Sequence, residues 1–400
     1  MAGVTRPGGG FRERMTMSYQ DALARVIDEV IAPGAAEVDR AGEFPGRQVA
    51  ELGEAGLLKL TIPAEFGGGG EGLRAAAHVT RELGAVCGST AMIVTMHYAA
   101  VAALVAGDMK EALAELANGS RLATLAFSEA GSRSHFWAPL STATAGEDGS
   151  VRLDAAKSWV TSAGEAALYV WSSRPLAAEG PMTLWLVPRD ADGLSVTGTF
   201  DGLGLRGNAS APMTAREVTV PRAAMIGADG AGLDLALSAV LPVFLLCTAA
   251  MSAGLMRRLA QETAGHLRRT QLRHLGRSLA QQEQPRAQLA RLQIEADRTW
   301  ALVSETLAAV EDGRADAQLL VLEVKAAAGE AAAEAADLAL RACGGAAFRK
   351  ESPVERLFRD SRAARVMAPT TEALHDFIGR ALCGLPLLGE VTGTPAGAAS

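Results

Sequence analysis

Groups placed to exchange protons are few in this 400-residue chain. His135, in Ser-Arg-Ser-His, offers an imidazole that could exchange a proton. Glu372 opens what reads as a helix, where the dipole favours a carboxylate in the first turn. His97 lies inside the apolar run 92–100 and reads as a core histidine satisfied by hydrogen bonds, and Glu129 reads as structural. Cys87, Cys247, Cys343 and Cys383 are far apart, without C-x-x-C spacing, and read as buried free thiols in a reducing cytoplasm rather than as a metal site. The glycines at 67–70 lack a strand before and a helix after in the spacing of a phosphate cradle, so they read as a loop.

The elements that must position these groups are mostly helical. Apolar residues make up 49% of the chain and aromatics only 4%, which suits Ala- and Leu-rich helical cores shared among two or three domains. A net charge of −7 argues against a nucleic-acid partner. The pairs Arg257-Arg258 and Arg268-Arg269 read as solvated helix faces. Residues 235–256 carry no charge and are long enough to cross a bilayer, but Pro242, Gly254 and three hydroxyl residues favour a buried helix in a protein with no membrane partner.

Residues 1–17 lack an apolar signal core and are expected to be a disordered leader. A domain of helices is expected over 18–120, opening on a Ser18–Asp21 capping box, with its first helix stopped by Pro33. Short apolar runs at 122–127, 167–172, 182–187, 194–199 and 215–220 give an antiparallel sheet domain over 121–228. Helical patterns return over 229–390, including the Ala-rich stretch 317–340.

Five segments occur in order: Pro-Ala-Glu-Phe-Gly-Gly at 63–68, Phe-Ser-Glu-Ala-Gly-Ser-Arg-Ser-His at 127–135, Lys-Ser-Trp-Val-Thr-Ser-Ala at 157–163, the Gly344-Gly345 turn and Glu-Arg-Leu-Phe-Arg-Asp at 355–360. Together they resemble the acyl-CoA dehydrogenase family. The resemblance implies a multi-domain α+β fold: an N-terminal helical domain, a middle antiparallel β-barrel and a C-terminal four-helix bundle. It implies FAD as cofactor. Phe127 and Ser128 match positions that meet the flavin ring, Trp159 the aromatic packed on it, and Thr161 the hydroxyl near N5. Ser134 and Thr370 match contacts to the cofactor's phosphates, and Gly344 and Gly345 a turn that approaches the neighbouring subunit's cofactor. At 272–276, Leu-Arg-His-Leu-Gly departs from the family's R-x-x-F-G, which it places at a helix start. A homodimer or homotetramer joined through the bundle is implied as well.

The family's proton-abstracting Glu is missing. Where the family has Y-E-G-T, this chain has Met367-Ala368-Pro369-Thr370, and the alternative location corresponds to Val243 beside Phe244. Such a base contributes roughly 10²–10⁴-fold. Glu372, about a turn beyond Ala368, and His135, in place of a family Asp, are the candidate substitutes. Three functions follow. The first is an FAD-dependent oxidoreductase of an acyl thioester, on coenzyme A or an acyl-carrier protein, passing electrons to an acceptor. The second is a two-component monooxygenase served by a flavin reductase. The third is a catalytically silent flavin-binding partner subunit.

Overall fold

The computed structural model describes residues 18–132 and 135–388; the expected leader and Ser134 fall outside them. Six α-helices come first: α1 (Tyr19–Val26), α2 (Ala32–Ala41), α3 (Gly46–Glu54), α4 (Leu73–Gly84), α5 (Gly88–Ala106) and α6 (Lys110–Leu116). Ser18 caps α1 by accepting the Asp21 N–H at 3.1 Å, while the Asp21 carboxylate accepts the Ser18 hydroxyl at 2.8 Å, so half of the expected box forms. Pro33 does not end the helix. A π-helical turn, Ile27–Ile31, widens the backbone just before it, and Pro33 falls in the first turn of α2, where its missing N–H is tolerated.

Eight strands form two four-stranded sheets: β1 (Ala123–Ala126), β2 (Thr142–Ala145), β3 (Ser150–Val160), β4 (Leu168–Ser173), β5 (Thr183–Pro188), β6 (Leu194–Val196), β7 (Ala211–Pro221) and β8 (Met225–Ile226). One sheet runs β1-β4-β5-β8 and the other β2-β3-β7-β6. Among the described residues the two do not close into a barrel. The β1–β4 pair is parallel, unlike its neighbours, because the chain between them crosses to the other sheet as β2 and β3 before returning. The periodicity reading passes over β2 and β3. Most of β2 is exposed and β3 alternates buried with solvated residues, so neither forms an apolar run.

The remaining helices are α7 (Gly232–Leu235), α8 (Leu241–Arg269), α9 (Glu283–Glu311), α10 (Ala317–Cys343), α11 (Pro353–Asp360), α12 (Ala363–Val366) and α13 (Thr371–Leu382). Helices α8, α9 and α10 pack mutually, and α13 lies on α10. Gly84 and Gly254 let α4 and α8 cross closely: a Cβ on Gly254 would sit 1.9 Å from the Arg81 carbonyl oxygen. Arg257 is not a solvated residue as expected, since it forms a bidentate pair with Glu82 across this crossing. Residues 272–276 lie in a tight hairpin between β9 (Gln271–Leu272) and β10 (Arg277–Ser278), not at a helix start. The charge-free run 235–256 is not alone in being long enough to span a bilayer, because α5 is too; both are mostly buried within the protein. Cys87, Cys247 and Cys343 are buried free thiols, but Cys383, beyond α13, is exposed.

Helix α11 ties the three layers together. Arg359 holds Asp39 of α2 through two bonds of 2.8 and 2.5 Å, its own helix's Glu355 through two more, and the Leu203 carbonyl at 3.2 Å. Arg356 donates to the Val86 carbonyl at 3.0 Å, and buried Asp360 accepts the Leu205 N–H at 2.7 Å. The Glu-Arg-x-x-Arg-Asp motif thus joins parts of one chain. Burial raises the Asp360 carboxyl to about 6. Its proton is therefore retained longer in the folded state than in the unfolded one, so stability falls as pH rises from about 4 through about 6. Asp360→Asn keeps an acceptor for Leu205 without the charge. In urea unfolding it should gain on the native protein by about 3 kcal/mol between pH 4 and 7.5. A difference that does not change with pH would refute the buried charge.

Candidate active site

The strands and helices meet around a cavity of about 540 Å³. One wall begins where β1 runs out into Phe127 and Ser128. A β-bulge between Lys157 and Val160 puts Trp159 at φ 56°, a conformation few bulky residues adopt, and leaves the residue 68% exposed beside the cavity. Leu205, Ala209 and Ser162 are also left-handed there. Backbone strain of this kind gathers where the surrounding structure holds a site in shape. Thr161 reaches the cavity with its hydroxyl 3.0 Å from that of Ser210, while its carbonyl accepts the Thr124 hydroxyl at 2.9 Å.

Buried Lys157 anchors this wall from behind. Its ammonium pairs with buried Glu129 at 2.5 Å and donates to the carbonyl and hydroxyl oxygens of Ser172 on β4. Glu129 also accepts from the Leu140 and Ser141 N–H groups and the Ser141 hydroxyl. Burial pulls Lys157 down to about 8 against the raising effect of Glu129. Burial pushes Glu129 the other way, but the Lys157 charge and these hydrogen bonds together hold its carboxyl below the usual range. Glu129 is therefore structural, as the sequence suggests. So is His97, whose Nε2 lies 2.7 Å from the Leu58 carbonyl and whose Nδ1 accepts the Ala123 N–H at 3.0 Å; burial lowers it to about 4.

The opposite wall is apolar. Ala236, Val240 and Phe244 recur along one helical face, so Phe244 borders the cavity where the motif count points to Val243. Met367, Ala368 and Pro369 line it after α12. Lys325 of α10 holds this segment by donating to the Met367 carbonyl at 3.0 Å and the Pro369 carbonyl at 2.7 Å. Burial lowers Lys325 to about 7, with Glu372 opposing the shift. The motif reading misses Lys325. Its signal is a lone lysine at helical spacing from the apolar residues Val321, Leu322 and Ala328.

Among the described residues lining the cavity there is no carboxylate, imidazole, thiol, phenol or amine, and Arg359 and Arg362 are its only charged groups. Neither candidate base has the position its role needs. His135 is exposed, its ring 4.8 Å from that of Trp137, and does not line the cavity. Glu372 is exposed on the first turn of α13, where its own backbone N–H holds the carboxyl below the usual range. Thr370 caps α13 by accepting the Ala373 N–H at 3.3 Å and also stands outside the lining. Gly344 and Gly345 lie at the far end of α10 with open space around them.

Four of the expected ring contacts, Phe127, Ser128, Trp159 and Thr161, therefore converge. The volume lies within the roughly 300–1,000 Å³ of small-molecule sites. An uncovered indole and a pair of hydroxyls beside apolar walls fit a flat heteroaromatic ring with one hydrogen-bonding edge. A flavin fits these residues.

Comparison with known proteins agrees across the chain. Residues 16–115, 124–218 and 230–383 match the acyl-CoA dehydrogenase N-terminal, middle and C-terminal domains respectively. The probable acyl-CoA dehydrogenase YngJ of Bacillus subtilis (strain 168) is 26% identical over 364 residues, 88% of this chain and 93% of that one. The mitochondrial short-chain specific acyl-CoA dehydrogenase of Homo sapiens is 27% identical over 353 residues, 86% and 84% respectively. The structure of the prolyl acyl carrier protein oxidase AnaB superposes with a TM-score of 0.83 at 19% identity, covering 91% of this chain and 98% of that one.

Lys157→Met should destabilise the protein by about 3–5 kcal/mol, because it leaves the Glu129 carboxylate buried without its counter-charge. Adding Glu129→Gln should recover part of that loss. Urea unfolding checks both, and a single-variant loss under about 1 kcal/mol would show that the pair does not anchor the wall.

Proposed function

Because the chain belongs to the acyl-CoA dehydrogenase family in all three of its domains, we propose that it is an FAD-dependent oxidoreductase of acyl thioesters whose chemistry uses no side-chain base in the cavity. One observation carries this reading. Phe127, Ser128, Trp159 and Thr161, which suit a flavin ring, share a cavity with Ala368 and Phe244, where a carboxylate would be needed and none stands. When bound, the flavin supplies two-electron chemistry. Trp159 would cover its ring and Thr161 and Ser210 would supply hydroxyls to its edge, while Phe244, Met367 and Ala368 would exclude water from the acyl side. Lys325 keeps the Met367–Pro369 segment in place without reaching the cavity.

Family membership also supports an acyl-CoA or acyl-carrier-protein substrate and an electron-accepting partner, the carrier-protein form being that named for AnaB. Assembly as a homodimer or homotetramer fits the open surroundings of Gly344 and Gly345 and the 81% exposure of Phe348 beside them. A two-component monooxygenase supplied with reduced flavin is the second reading, and the apolar, base-free cavity is what favours it.

The flavin released by heat should be FAD, and anaerobic addition of a suitable acyl thioester should bleach it. FMN, or a colourless protein, would overturn the assignment; oxygen consumption with an external flavin reductase and no response to any thioester would favour the second reading. Glu372→Gln should leave turnover within about twofold of the native rate. A fall by orders of magnitude, as loss of a general base gives, would restore Glu372 to the chemistry.

A further inference from the structure

Among the described residues, Arg362 is the one cation bordering the cavity that lacks a carboxylate partner. Arg359, a turn earlier, is saturated by Asp39 and Glu355, and Arg365, three residues on, lies 3.5 Å from Glu330. No described carboxylate comes within 4 Å of Arg362. Its guanidinium is half-buried, with its central carbon 4.0 Å above the centre of the Phe358 ring. Asp337, the acidic group that acts on it, is engaged with Arg341 at 3.0 Å. Burial lowers the Arg362 guanidinium from its ordinary value. A partly desolvated cation in an apolar wall gains from a counter-charge brought by a ligand, and none of the described lining residues supplies one.

Resting on the acyl-thioester reading above, we infer that Arg362 recognises a carboxylate on the acyl group, so that the substrates are thioesters of dicarboxylic or otherwise carboxylated acids. A planar guanidinium fixed over an aromatic ring suits bidentate pairing with a carboxylate. Its place in the lining beside Ala363, Val366, Met367 and Ala368 puts it on the wall assigned to the acyl group.

Succinyl-CoA and butyryl-CoA carry four-carbon acyl groups that differ in one terminal carboxylate, and their binding to the flavin-loaded protein can be measured by calorimetry. The native protein should bind succinyl-CoA at least about tenfold more tightly, the scale of one charge-assisted hydrogen bond. Arg362→Gln should bring the ratio close to one, and Arg362→Lys should retain part of the preference as a point charge. FAD affinity of the apoprotein should stay within about twofold in both variants. Equal binding by the native protein, or a preference that survives Arg362→Gln, overturns the inference and leaves the acyl-thioester reading standing. A parallel loss of FAD affinity overturns it in favour of the cofactor's phosphates as the anion. If neither thioester binds, the coenzyme A form of the acyl-thioester reading falls and this inference with it.

Discussion

Arg359 meets more of the molecule than any other charged group near the cavity. Two carboxylates, Asp39 from the first layer and Glu355 from its own helix, saturate its guanidinium, and the Leu203 carbonyl brings in the middle layer. Its neighbours Asp360 and Arg356 repeat the pattern with Leu205 and Val86. The cavity lies among these three layers, so its shape depends on a contact only one helix turn long. An ion pair this desolvated is a weak source of net stability but penalises misalignment heavily, because a shift of any layer strands a buried charge.

The same economy explains why the cavity is poor in proton acceptors. Charged and ionisable groups around it are already bound to other parts of the protein. Glu129 is held by Lys157, His97 bridges Leu58 and Ala123, and Lys325 is held by the carbonyls on either side of Ala368. Each shapes a wall, and none projects into the space where a ligand would react. What remains among the described lining residues is apolar surface, a few hydroxyls, the Asn208 amide, one uncovered indole and the Arg362 guanidinium, without a carboxylate partner. That inventory suits ring binding and anion recognition better than proton abstraction. It also separates the family fold from the chemistry of the cavity: Phe127, Ser128, Trp159 and Thr161 line one side together, while Ala368 stands on the apolar side.

The sequence by itself determined the succession of helical, sheet and helical layers, the roles of Glu129 and His97, the family, and the absence of a glutamate at Ala368. These follow from hydrophobic periodicity and from motifs whose residues are contiguous, so neighbours in sequence suffice to reveal them. Only the tertiary structure decided which residues share the cavity. Phe244 rather than Val243 lines it because the face of a helix depends on rotation within a packed layer, and the π-turn at 236–240 just before it shifts that rotation beyond what residue counting can follow. Glu372 and His135 stand outside the lining, which depends on how the packed layers place each side chain in space. Lys325 and Arg362 acquire their roles from groups more than 40 residues away and from a missing counter-charge, respectively. Burial and charge pairing are sums over neighbours in space, and the order of residues along the chain does not contain those sums.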